Sequence, residues 1–326
     1  MNNILNIDNL SVDFNTEYGV LHAVDNVSFT VSRGQVVGIV GESGCGKTVT
    51  ALAIMRLLNN VVGTSIRGNI LFEGQDLLSL SEKQMHKVRG NEISMIFQEP
   101  MTSLNPILTI GRQITEILEL HLKMTSKKAK ERAAELLELV GFPDPYQRLN
   151  NYPQQLSGGM RQRVMIAMAI SCNPKLIIAD EPTTSLDVTI QAQILDLIMD
   201  ICANLGTALM LITHNLGLIA RYAEKVIVMY SGSIVEEGMA NHIYYDSHHP
   251  YTLGLLKAVP RIDGDIKKKL ITIEGIPPEQ MDQLIGCSFE PRCTYSVDKC
   301  KIETPELEFI QKDHLASCWQ STEFGK

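Results

Sequence analysis

An α/β fold, a mainly parallel sheet with helices packed on it, is what this sequence predicts, and three features predict it. Four short apolar runs, Val36–Val40, Leu176–Ala179, Ala208–Thr213 and Val226–Tyr230, have the length and composition of strands buried on both faces. A helically spaced stretch, Ile190–Asn204, separates the second run from the third, and strand–helix–strand alternation implies parallel pairing. The octet Gly41-Glu42-Ser43-Gly44-Cys45-Gly46-Lys47-Thr48 joins the first run to another helical segment, Thr48–Leu58, with Leu52, Met55 and Leu58 on one side.

The elements follow in order. Residues 4–31 alternate apolar and polar (Leu5, Ile7, Val12, Phe14, Val24, Val27, Phe29, Val31), the pattern of antiparallel strands with one solvated face. Gly34-Gln35 turns the chain into the first buried strand. The octet fits G-x-x-x-x-G-K-[ST]. Its glycines let backbone N–H groups of Glu42, Ser43, Gly44, Cys45 and Gly46 curl around phosphates. Lys47 reaches the β/γ-phosphates as a point charge, the Thr48 hydroxyl suits Mg²⁺, and Val49 lies in the first turn of the helix that receives the anion.

Ile70–Phe72 and Ile93–Phe97 read as further strands. From Pro106 to Gly141 the pattern is helical, with Ser126 as N-cap, Ala133, Leu136, Leu137 and Val140 as apolar stripe, and Gly141 as the C′ residue. Gly206 stops helix Ile190–Asn204, and Ser231-Gly232 turns the chain into Ser233–Glu236. Beyond Ala240 the composition shifts to a His-, Tyr- and Asp-rich stretch and then a Pro-rich one. The expected division is residues 1–240, with a helical subdomain at about 106–165, and residues 241–326.

Composition narrows the function. The chain has 326 residues, 44% hydrophobic and 20% charged, with a net charge of −8 and a pI near 5.5, which argues against a dedicated nucleic-acid binder. Its basic runs, Lys123–Arg132 and Lys267–Lys269, read as solvated helix faces. No apolar run approaches the ~18 residues of a spanning helix, and the N-terminal residues lack the pattern of a signal peptide. The expected location is cytoplasmic, with any membrane contact made through a partner.

Seven cysteines divide into two groups. Cys45 lies in the octet, where its backbone is what matters; Cys172 and Cys202 read as small buried hydrophobes. Cys287, Cys293, Cys300 and Cys318 crowd into the last forty residues with spacing Cys-x₅-Cys-x₆-Cys-x₁₇-Cys. Cytosolic disulfides are rare, so the cluster reads as a metal or iron–sulfur site. Zinc sites usually contain short Cys-x₂–₄-Cys pairs. Longer gaps favour a [4Fe–4S] cluster, with zinc, free thiols and disulfides as alternatives.

Leu176–Ala179 runs into Asp180-Glu181, some 130 residues after the octet. Asp180 suits Mg²⁺ through its water shell, and Glu181 suits a base toward water attacking the γ-phosphate. Leu156-Ser157-Gly158-Gly159-Met160-Arg161-Gln162-Arg163 resembles the signature of ABC-type ATPases, with Met160 in place of the usual Gln. Gln98 resembles the family's Q-loop glutamine, which also touches Mg²⁺. Ser185-Leu186-Asp187 resembles its D-loop, and His214 its switch histidine. Tyr18 resembles the aromatic that stacks on adenine, with Phe14 as alternative. The resemblance covers residues 5–238. It implies a P-loop ABC cassette with a RecA-like core, an N-terminal antiparallel subdomain and a helical insert. It also implies ATP and Mg²⁺ as ligands and a head-to-tail dimer with a second ABC ATPase subunit. Ser157, Gly158 and Gly159 of one cassette would then meet the ATP on the other.

His249-Pro250-Tyr251-Thr252, Gly275-Ile276-Pro277-Pro278 and the four cysteines resemble the tail of oligopeptide- and dipeptide-importer ATPases. That implies a small Cys-rich C-terminal domain, two transmembrane permease subunits and an external peptide-binding protein as partners. It implies no nucleic acid, and a place on the cytoplasmic face of the plasma membrane. Nickel-importer ATPases share these features, and a soluble ABC ATPase acting on nucleic acid or ribosome is the alternative of a different class.

Overall fold

The computed structural model describes residues 3–59, 61–184, 186–258, 273–278, 281 and 285–323. Ser185 of the D-loop-like triplet and the basic run Lys267–Lys269 lie outside them. The chain forms two compact units, one of Met1–Ile4, Val31–Gln35 and Ser79–Met210, the other of Leu5–Thr30, Val36–Leu78 and Leu211–Lys326.

In the first unit the strands Ile93–Ile96 and Leu176–Asp180 pair in parallel, from Ile93 opposite Leu176 to Ile96 opposite Ala179. All five residues of the second strand are buried, as a continuous apolar run requires. The helical insert contains Ile110–Leu122 and Ser126–Leu139. The predicted stripe of Ala133, Leu136, Leu137 and Val140 is fully buried. Gly141 adopts φ +78° and donates its N–H to the Glu138 carbonyl, a left-handed stop that a side chain resists. The N-cap is Thr125 rather than Ser126: Thr125 is extended, with φ −68° and ψ 152°, and Ser126 is already helical. The long helix is Val188–Leu205, ended by Gly206 at φ +65°.

In the second unit a sheet orders the strands Gly19–Ser32, Asn3–Thr16, Thr64–Phe72 and Gln75–Asp76. Asn3–Thr16 runs antiparallel to Thr64–Phe72. Val36–Val40 pairs in parallel with Lys225–Tyr230. Beyond it the sheet turns antiparallel, through Ser233–Met239, His314–Ala316 and Glu308–Gln311. The switch is local: Ser231 and Gly232 both take positive φ, +47° and +86°, the two-residue turn whose twist matches an antiparallel hairpin. The helix after the octet is shorter than its spacing predicts, Lys47–Ile54 instead of Thr48–Leu58. Arg56 sits at φ +52° and only 9% exposed, and its guanidinium donates to the Leu77 carbonyl at 3.2 Å. The chain leaves the helix where a buried arginine finds its acceptor.

The C-terminal residues pack on this sheet through two groups of side chains. Tyr230, Tyr251 and Phe289 form an aromatic triangle with centroids 4.6–5.4 Å apart. Fully buried Glu236 accepts from the backbone N–H of His248 and His249 and lies 2.8 Å from His314 Nε2. His249 Nδ1 accepts from the Tyr251 N–H, so that nitrogen must stay unprotonated.

Burial pushes the His249 pKa down to about 4, against the pull of the Glu236 charge. An unfolded histidine takes its proton near 6.5. Between those values the unfolded chain binds more protons, so stability falls as pH falls through the window. His249→Asn keeps an acceptor and removes the titration. Wild type should lose about 3 kcal/mol relative to that variant between pH 7 and pH 4 in urea melts. Parallel pH profiles would refute the assignment.

Candidate nucleotide-binding site

The phosphate loop leaves strand Val36–Val40 and enters helix Lys47–Ile54 at Gly46, which takes φ +99° as N-cap. Two of its glycines are dictated by space. A Cβ on Gly41 would lie 2.2 Å from the Met229 carbonyl oxygen, and one on Gly46 would lie 2.5 Å from that of Ala23. The helix has no acidic residue in its first turn, which leaves its N-terminus receptive to an anion. Lys47 is 4% exposed, and its Nζ donates to the carbonyls of Gly41 at 2.7 Å and Glu42 at 2.8 Å. Cys45 contributes more than backbone: its sulfur lies 3.6 Å from Lys47 Nζ, and burial raises its pKa, keeping it a neutral thiol. Thr48 and Val49 follow on the helix, and Ser43 and Gly44 line a pocket of about 200 Å³ bounded also by Tyr230 and Pro277.

Two residues hold this loop that the sequence reading did not tie to it. Tyr251 Oη accepts from the Glu42 N–H at 2.8 Å. Arg292 grips the Glu42 carboxylate with both terminal nitrogens, at 2.7 and 3.0 Å, a fork geometry that fixes direction as well as distance. The Arg292 side chain is 5% exposed, so the pair is little screened by solvent. The signal in the sequence was an arginine beside Cys293 and a tyrosine in His-Pro-Tyr-Thr; nothing in the spacing tied either to Glu42.

The first unit holds the carboxylate pair. Asp180 ends its strand 2% exposed. Glu181 takes φ +44°, a strained conformation for a residue with a side chain. Its Oε2 accepts from Gln98 Nε2 at 3.1 Å and from Thr184 Oγ1 at 2.8 Å. The structure thus brings Gln98 and Glu181 together although 83 residues separate them. Ser157 N-caps the helix Gly158–Ile170, its Oγ accepting from the Met160 N–H. The helix starts at the two glycines, six residues before its apolar stretch Val164–Ile170. Arg161 Nε bonds the carbonyls of Pro153 and Leu156 and fixes the approach to Ser157. A Cβ on Gly158 or Gly159 would touch Leu186 or Ile190, so the signature glycines abut the described part of the D-loop-like segment.

His214, in the second unit, is exposed between two anchored neighbours. The Thr213 N–H donates to the Ile39 carbonyl, its Oγ1 accepts from the Asn215 N–H, and Asn215 caps the next helix. Tyr18 is 87% exposed in the turn between the first two strands, and Phe14 is partly buried.

Cys287, Cys293, Cys300 and Cys318 all line one tight cavity with Phe289 and Trp319, and all are free thiols. Burial, and then the neighbouring cysteines, push the Cys287 and Cys318 thiols up, Cys318 to about 12. Among the described residues no three of these sulfurs lie within 4.8 Å of one another. Cys172 and Cys202 are buried, with raised pKa, as inert hydrophobes should be. No helix among the described residues is long and apolar enough to cross a membrane.

Comparison with known proteins places these features. Residues 24–184 match the ABC transporter family, and residues 235–300 match the oligopeptide/dipeptide transporter C-terminal region. The oligopeptide transport ATP-binding protein AppD of Bacillus subtilis is 49% identical over 100% of this chain and 99% of its own length. The dipeptide transport ATP-binding protein DppD of Escherichia coli is 49% identical over 97% of this chain and 96% of its own. Among solved structures, the dimeric post-hydrolysis state of the ATP-binding cassette MJ0796, bound to ADP and Pi, superposes with a TM-score of 0.65 at 27% identity, covering 72% of this chain and 98% of that one. With relatives at this identity along its whole length, the chain belongs to the ABC transporter ATP-binding proteins, in the branch that carries the oligopeptide/dipeptide transporter C-terminal region.

Proposed function

We propose that this chain is the ATP-hydrolysing subunit of an ABC importer of di- or oligopeptides. The observation that carries the proposal is Lys47, a buried ammonium held by loop carbonyls and, among the described residues, in no ion pair. A buried charge needs a counter-charge, and a helix N-terminus beside it selects a phosphate chain. The names of the relatives favour peptide import over nickel import or a role on nucleic acid or ribosome.

In this reading Gly41, Glu42, Ser43, Gly44, Cys45, Gly46, Lys47, Thr48 and Val49 cradle the ATP phosphates and Tyr18 stacks on adenine. Thr48, Gln98 and Asp180 hold Mg²⁺ and its water shell. Glu181 takes a proton from the attacking water, and Gln98, bonded to Glu181, reports the γ-phosphate. His214 steadies the γ-phosphate. A second ATPase subunit packs head to tail, so that Ser157, Gly158 and Gly159 of each chain close on the other's nucleotide. The helical region 106–150 docks on two permease subunits at the cytoplasmic face of the membrane, and the peptide-binding protein acts through them. The cassette comprises residues 1–240 and the C-terminal domain residues 241–326.

For the four cysteines we favour a [4Fe–4S] cluster over zinc. A single tetrahedral zinc draws its sulfurs to about 3.8 Å apart, given bonds of about 2.3 Å. Among the described residues no three of the sulfurs come within 4.8 Å of one another, and thiolates that each bind a separate iron need no such approach. The four thiols supply the donor set, although their cavity, as it stands, has room for little more than one water, so metal entry must spread its walls. When bound, a cluster would give the cysteine sulfurs a counter-charge.

Glu181→Gln should lower ATP turnover by about 10²–10⁴-fold while ATP still binds; near-normal hydrolysis would remove Glu181 from this role. Lys47→Ala should weaken ATP binding by about 10–100-fold in calorimetry, the value of lost charged hydrogen bonds; unchanged affinity would refute the loop assignment. Anaerobically purified protein should be brown and contain iron, and Cys318→Ser should lose both. Stoichiometric zinc without iron would reverse the choice.

A further inference from the structure

We propose a second metal site, distinct from the four cysteines: a site for one first-row divalent transition-metal ion formed by Asp246, His248 and His314. One ligand atom from each of these residues lies within 4.8 Å of the other two. The residues come from distant parts of the chain. Asp246 and His248 follow the short helix Ala240–Tyr245, whereas His314 starts the strand His314–Ala316. His314 is fully buried, His248 is 7% exposed, and the Asp246 side chain is 36% exposed and offers a way in.

The hydrogen bonds place a proton on one nitrogen of each ring. His248 Nδ1 lies 2.6 Å from the Ser321 carbonyl oxygen, which can only accept, so Nδ1 carries the proton. Its other nitrogen, Nε2, lies 3.5 Å from Asp246 Oδ1 and is the atom left to meet an ion. His314 Nε2 lies 2.8 Å from Glu236 Oε1 and carries its proton there, leaving Nδ1 bare. The Gln311 amide nitrogen bridges that Nδ1, at 3.4 Å, and Asp246 Oδ2, at 3.0 Å. A single N–H₂ group between a bare imidazole nitrogen and a carboxylate marks the position that a cation would take.

The surroundings have the character of a metal site's outer shell. Ligating histidines ordinarily donate their second N–H to a carbonyl or a carboxylate, which fixes the ring and raises its basicity. Ser321 and Glu236 do this here. The composition also suits a divalent ion: two imidazoles and the Asp246 carboxylate at the site, with the fully buried Glu236 carboxylate behind His314. Two nitrogens and one carboxylate oxygen select zinc, cobalt or nickel over magnesium or calcium, which prefer all-oxygen sites. His242 is a further imidazole beside the site. Its ring stacks on His314 at 5.5 Å, and its Nδ1 is buried without a hydrogen-bond partner. The ion fastens the last strand and Ser321 to the loop that leads into His249-Pro250-Tyr251.

The test uses the full chain, reduced, anaerobic and stripped with chelator, titrated with Co²⁺ and separately with Zn²⁺. Beside any Co²⁺ taken by the four cysteines, which shows intense sulfur-to-metal absorption, wild type should bind one further Co²⁺ that adds only weak d–d bands. Asp246→Ala and His248→Gln should weaken that binding by at least about 100-fold. Zinc should raise the Tm of wild type by at least about 3 °C and leave the Tm of both variants unmoved. A merely structural ion-pair cluster would lower the variants' Tm with no dependence on metal, and that result overturns the site. So does a Co²⁺ spectrum of thiolate type alone, or wild-type affinity in Asp246→Ala. Asp246 is partly exposed and keeps the experiment decisive if His248→Gln fails to fold.

Discussion

The second unit is organised around a loop that must bring its own backbone into contact with a phosphate chain. Backbone N–H groups converge only where no side chain intervenes, and at Gly41 and Gly46 even a methyl group would collide with a carbonyl of a neighbouring strand. The loop is therefore defined by what it packs against as much as by its own sequence. Strand Lys225–Tyr230 supplies the Met229 carbonyl at Gly41, and strand Gly19–Ser32 supplies the Ala23 carbonyl at Gly46. Lys47 belongs to the same packing. Its ammonium satisfies two loop carbonyls, so it is held in place before any ligand arrives, and ordering it adds little to the cost of binding.

In the first unit the same economy appears at Glu181. Leu176–Asp180 is buried along its whole length, which fixes where the strand ends and where the two acids emerge. The left-handed φ of Glu181 costs on the order of 1–3 kcal/mol. Its carboxylate is offset by hydrogen bonds from Gln98 and Thr184. A strained backbone with a doubly bonded side chain has few alternative positions. That is the property a proton acceptor needs if its geometry is to be set before water arrives.

Much of this was legible in the sequence because it is local. The octet, the Leu176–Asp180 strand, the stripe of Ala133 to Val140 and the Gly206 stop depend on neighbours within a few residues. The errors are also instructive. The helix after the octet stops at Ile54 because Arg56 must reach the Leu77 carbonyl, a demand 21 residues away that periodicity cannot express. The antiparallel extension of the sheet was readable only as far as Ser231-Gly232, since its last strands, Glu308–Gln311 and His314–Ala316, are only four and three residues long. Arg292 and Tyr251 were missed as partners of Glu42. A bidentate grip across 250 positions leaves no local trace. The same holds for Asp246, His248 and His314, whose meeting depends on register between strands.

These long-range contacts give the C-terminal residues a direct bearing on the phosphate loop. Arg292 adjoins Cys293, and Tyr251 lies three residues after His248, so each of the two groups proposed above to bind metal sits one short stretch of backbone from a contact with Glu42. The two groups differ in chemistry. Four sulfurs favour soft ions and iron–sulfur clusters, whereas two imidazoles and a carboxylate favour borderline divalent ions. Anything that shifts the backbone at Cys293 changes the angle of the Arg292 fork, and anything that shifts His248 changes the reach of Tyr251. Glu42 receives both, one on its carboxylate and one on its N–H. A displacement in either group would therefore reach the loop through a hydrogen bond whose strength falls steeply with misalignment. The loop's posture depends on the C-terminal residues as well as on its own glycines.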